Sequence, residues 1–111
     1  MLVNIKEVLK SDTALTPSSG EVLFNILEKE LSENKEVTLD FHGMEIITSA
    51  FLNAAVGRLY FKFSPLQLNK FLNVSNIATD DLALLKKVIE RAKSYFQDQE
   101  SFNRRLDGEL E

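Results

Sequence analysis

With 111 residues, a formal net charge of −4 and no cysteine, the chain has room for one domain and none for disulfides, thiolate metal sites or a cysteine nucleophile. The acidic balance, with no Lys/Arg stripe interleaved with aromatics, argues against nucleic acid as a partner. No apolar run approaches the ~18 residues of a membrane span, and the alternating N-terminus lacks a signal-peptide core, so a cytoplasmic location is expected.

Leu2 to Leu9 reads as an opening strand, because Val3 and Ile5 alternate with polar neighbours. Ser11 to Thr16 reads as a loop. Pro17 suits the first turn of a helix, and Ser18 with Glu21 fits a capping box. Val22, Leu23, Ile26, Leu27 and Leu31 then recur at helical spacing. Glu36 to Phe41 is the second strand, with Val37, Leu39 and Phe41 on one face. His42-Gly43 turns the chain and Met44 to Ile47 links it onward. Thr48 or Ser49 caps a second helix, on which Leu52, Ala55, Val56 and Leu59 share a face.

Pro65 breaks that pattern. Leu66 to Asn69 reads as a helical turn or a loop, and Lys70 to Val74 as a third strand. Thr79 caps a long final helix with Asp80 and Asp81 near its positive end. Leu82, Leu85, Ile89, Ala92 and Phe96 supply its buried stripe. Residues 97–111 hold five acids against two arginines and read as a frayed or flexible acidic tail beyond a domain of 1–96. Alternating strands and helices predict a small single-domain α/β fold with a mostly parallel sheet of three strands. A strand near Met44 to Ile47 or an N-terminal hairpin strand would make four.

Catalytic chemistry has little to work with. The single histidine, His42, sits beside Gly43 and reads as a turn residue. The glycines at 20, 43, 57 and 108 make no phosphate loop, and no carboxylates show metal-ligand spacing. A non-enzymatic domain without cofactor or metal is expected. Asp40 closes an apolar strand at the carboxyl edge of the sheet, where open α/β sheets place ligands; its simpler role is to accept N–H groups of the next turn. Thr48 and Ser49 lie at the same edge. A hydroxyl there caps the helix, and a phosphate there would meet free N–H donors and the positive end of the dipole.

The segment Val37 to Tyr60, "VTLDFHGMEIITSAFLNAAVGRLY", resembles the core of STAS domains, the fold of bacterial anti-sigma factor antagonists. It is most similar to a STAS-like group of uncharacterised function. Gly20, Leu23 and Leu27, then Val37, Leu39, Asp40, Phe41 and Gly43, then Ile47, Thr48, Ser49 and Phe51, and last Asn73-Val74 carry the likeness over roughly residues 18–96. The resemblance implies a regulatory protein–protein interaction domain. By position Ser49 matches the serine that a histidine-kinase-like ATPase phosphorylates in the antagonists, with Thr48 as a neighbouring acceptor. Two positions depart from that pattern. Thr48 stands for an Asp, which removes a negative charge beside the acceptor. Phe51 stands for a Gly, which puts a ring on the first helical turn where a kinase would approach.

The expected partner surface is the outer side of the second helix, with Asp40, Asn53 and Arg58 around Ser49. Two alternatives stay open on the sequence: a small-ligand or nucleotide-binding domain without catalysis, and an oligomerisation module. The second draws on Phe61, Phe63 and Phe102 and implies a homodimer.

Overall fold

Asn4 ends the opening strand after three residues. Its backbone is still extended, but its Oδ1 accepts the Glu7 N–H at 2.9 Å. That side-chain bond is a helix N-cap. The chain therefore passes from β1 (Leu2–Asn4) straight into α1 (Ile5–Leu9), and the strand expected to reach Leu9 is a strand and a helical turn. The structure, a computed structural model, describes the backbone of residues 1–110 and the side chains of residues 1–94.

The segment expected as a loop contains β2 (Thr13–Ala14), and α2 (Pro17–Ser32) follows. Thr16, not Ser18, is the N-cap: its hydroxyl accepts the Ser19 N–H at 3.2 Å, and Pro17 takes the first helical position. The buried stripe of α2 is Gly20, Leu23, Phe24, Leu27 and Leu31, while Val22 is 46% exposed. The stripe is thus turned from the expected one, with Phe24 in the core where Val22 was placed.

β3 (Val37–Asp40) is the centre of the main sheet. It pairs in parallel with β1 on one side and β5 (Leu72–Ser75) on the other, with Val3, Leu39 and Val74 in register and Asn4, Asp40 and Ser75 in the next row along the strands. Val3, Val37 and Leu39 are buried. The strand found within Met44 to Ile47, β4 (Ile46–Ile47), does not add to this sheet. It pairs in parallel with β2, forming a second, two-stranded sheet.

α3 (Ser49–Ala55) packs along α2 and continues through Val56 into a 3₁₀ helix, Gly57–Phe61. Ser64 then caps α4 (Pro65–Phe71) through the Gln67 N–H at 3.1 Å, which settles the choice between helix and loop. α5 spans Thr79–Leu110. Its first turn is closed by the Leu82 N–H on the Ala78 carbonyl, so Thr79 is the first helical residue and not the cap. Leu85, Val88 and Ala92 are its buried residues, with Leu82 and Ile89 half-buried. Phe96, Phe102 and the acidic stretch 97–111 lie outside the residues whose side chains are described. Among the described residues no helix is long and apolar enough to cross a membrane.

Candidate functional site

Three strand ends meet at Asp40. Its Oδ1 accepts the His42 N–H at 3.0 Å and the Asn76 side-chain amide at 2.9 Å, and its Oδ2 accepts the Asn4 amide at 3.0 Å. Asn4 is the last residue of β1 and Asn76 stands just after β5, so one carboxylate ties the carboxyl ends of all three main strands. Asn76 reaches it from a left-handed backbone at φ 53°. Asp40 is 7% exposed. Its expected bond to the next turn is present, but as a buried clamp it does not belong to an exposed interaction surface. The donors from Asn76, then Asn4, then the His42 backbone lower its pKa from the ordinary 3.8 to about 2.

That shift carries a sign. Between these two values the unfolded chain binds the proton more readily than the folded one, so stability falls as pH drops from about 4 to about 2. Asp40→Asn turns an amide donor toward three donors. It is expected to lower the urea midpoint at neutral pH and to remove the Asp40 share of the acid-limb slope. A variant whose midpoint follows the wild-type pH curve would show that the clamp adds nothing.

The two hydroxyls at the start of α3 have different work. Thr48 is extended, its Oγ1 accepts the Phe51 N–H at 3.2 Å and donates to the Leu15 carbonyl at 2.8 Å, and its own N–H donates to Ala14 at 3.1 Å. Its hydroxyl is used as both donor and acceptor. Ser49 is the first helical residue, is half-buried, and makes no side-chain hydrogen bond among the described residues. Phe51 is fully buried, so its ring is a core residue and does not stand where a kinase would approach.

Ser49 and Asn53 are four apart on α3 and therefore neighbours on its surface. Asn53 lines an open groove of about 360 Å³ with Gly57, Arg58, Phe61, Arg91 and Ala92. Arg58 is exposed, and its guanidinium carbon lies 4.4 Å from the centroid of the Phe24 ring. Of the expected surface residues, Ser49, Asn53 and Arg58 are thus brought to one side and Asp40 is not. Leu15 and Ile46, 48% and 52% exposed on the hydrogen-bonded β2–β4 side, flank the Thr48 end. No group of three His, Cys, Asp or Glu among the described residues could hold a metal ion.

Residues 19–82 match the model of the STAS-like domain of unknown function (DUF4325). The chain belongs to this family. The match runs from the start of α2 into α5 and contains Gly20, Asp40, Thr48, Ser49, Asn53 and Arg58, whereas Asn4 and Arg91 lie outside it. The parallel three-stranded sheet with its intervening helices is consistent with a STAS-like fold. No curated protein and no solved structure matches the chain.

Sequence reasoning missed Asn4, Asn76 and Arg91. Asn4 carried a usable signal, since Asn4 with Glu7 three residues on has the spacing of a capping box. Arg91 carried none, because only the packing of α5 beside the 3₁₀ helix brings it to Arg58.

Proposed function

We propose that this STAS-like domain is a non-enzymatic regulatory module of the cytoplasm that binds a protein partner through the outer side of α3 and is switched by phosphorylation of Ser49. The observation that carries the reading is the division of labour at the helix start. Thr48 supplies the side-chain cap, and among the described residues the Ser49 hydroxyl beside it has no hydrogen bond to give up. A phosphate there adds about −1.5 to −2 charges between Asn53 on one side and the exposed Leu15 and Ile46 on the other. A partner covering that surface would have to bury the charge, which favours release. The resemblance to anti-sigma factor antagonists supplies the candidate kinase and partner, a histidine-kinase-like ATPase.

The test compares three variants. Ser49→Ala removes no hydrogen bond and should leave stability within ~0.5 kcal/mol of wild type. Thr48→Ala removes the cap and should cost ~1 kcal/mol by urea denaturation. Ser49→Glu should lose the ATPase partner that Ser49→Ala retains, and mass spectrometry of the protein isolated from its own cells should find phosphate on Ser49. Equal partner binding by the alanine and glutamate variants would remove the switch.

A further inference from the structure

The groove between the 3₁₀ helix and α5 is cationic on a protein of net charge −4. Among the described residues its lining holds two arginines and no acid. Among the described residues neither Arg58 nor Arg91 has a carboxylate within ion-pair distance; the salt bridges are Lys35–Glu33 and Lys62–Glu28. Lys62, which also approaches the Phe24 ring at 5.7 Å, is thereby neutralised while Arg58 on the same ring is not. The Arg58 guanidinium lies over the Phe24 ring, a cation–π contact that gives none of its N–H groups an acceptor oxygen. An arginine held against a ring is partly ordered before any ligand arrives, so less side-chain entropy is lost on binding. Asn53 adds an amide to the same wall, and Gly57, which has no side chain, and Ala92, which has only a methyl group, let a ligand approach closely.

We infer that this groove is the docking site for a carboxylate-bearing segment of the protein partner, held by Arg58 and Arg91. The inference rests on the reading of α3 as a partner surface and gives that partner its chemistry. It also gives the Ser49 phosphate a direct electrostatic target. Asn53 is one helical turn from Ser49, so a phosphate at Ser49 stands at the rim of the groove and repels an acidic segment.

The probe is an acetylated hexaglutamate peptide, titrated into the ¹⁵N-labelled full chain, with hexaglutamine and an oligothymidylate of equal charge as comparisons. The expected result is movement of the Arg58 and Arg91 side-chain Nε–H signals and of the Asn53 amide with hexaglutamate alone. Binding should weaken about tenfold in Arg58→Gln/Arg91→Gln, as expected for two lost charge-assisted contacts. The rest of the spectrum reports that the variant is folded. Unchanged affinity in the double variant, equal shifts with hexaglutamine, or tighter binding of the oligothymidylate would each overturn the inference. Ser49→Glu is read separately, with about threefold weakening expected from screened repulsion. Loss of binding in the arginine variant but not in Ser49→Glu would keep the acidic docking site and sink the phosphorylation switch.

Discussion

Phe51→Ala is expected to cost 3–5 kcal/mol, the range for emptying a fully buried aromatic site. The ring has no exposed surface and sits on the first turn of α3, where its amide is also the donor to the Thr48 cap. Domains of this size are stable by roughly 5–15 kcal/mol, so one substitution removes a large share of the total. A fall of about 15–25 °C in Tm should accompany it. Phe51→Gly places here the residue that the anti-sigma factor antagonists carry, and it should be worse again by ~1 kcal/mol because glycine disfavours the helix. Phe51→Leu, which keeps most of the volume, should cost much less. A loss below ~1 kcal/mol in the alanine variant would mean that the ring does not fill the core. The difference from the antagonists at this position is therefore a difference in how the core is packed beneath the first turn of α3.

The central strand was legible because its residues obey one rule along their whole length. Val37, Leu39 and Phe41 alternate with polar residues and all three are buried. The two-residue strands β2 and β4 were not legible as a pair, since two residues carry no periodicity and their pairing is set by α2 and α3 bringing the segments together. β1 was cut short by a side-chain bond that competes with alternation. On α2 the choice between Val22 and Phe24 had no local answer. Both are apolar, and only the position of α3 decides which face is covered.

At the candidate site, the pattern of an acid at a strand end and two hydroxyls at a helix start pointed to the carboxyl ends of the main strands and the start of α3. It left open which hydroxyl caps, and the answer depends on Leu15, whose carbonyl receives the Thr48 hydroxyl from a segment far away in the chain. Asp40 was read both as an acceptor for N–H groups of the next turn, which its bond from the His42 N–H bears out, and as part of an interaction surface at the edge where its strand ends. Its real partners, Asn4 and Asn76, come from the neighbouring strands and are visible only once the parallel register is known. Arg58 was readable as exposed, but not that Phe24 lies under it.

Gly20→Ala should be the most damaging small substitution, and its sign is informative. Helix propensity alone favours alanine in α2 by ~1 kcal/mol. The space does not. A Cβ at position 20 would lie 2.5 Å from the Phe51 carbonyl oxygen, 2.7 Å from the Ala54 Cβ and 3.1 Å from the Ala55 nitrogen. Two of these three atoms are backbone and cannot turn aside, so α2 and α3 must separate. Overpacking of this kind costs typically 1–3 kcal/mol, and the net expectation is destabilisation of up to about 2 kcal/mol after the propensity gain. Valine should do worse. Ala54→Gly in the alanine background removes one contact and leaves the Phe51 oxygen, so rescue should be partial at most. Because α3 carries Ser49 and Asn53, hydrogen exchange should rise on α3 before it rises on β3. An alanine variant more stable than wild type would show that the two helices have slack between them, and would remove the reason for a glycine where α3 crosses α2.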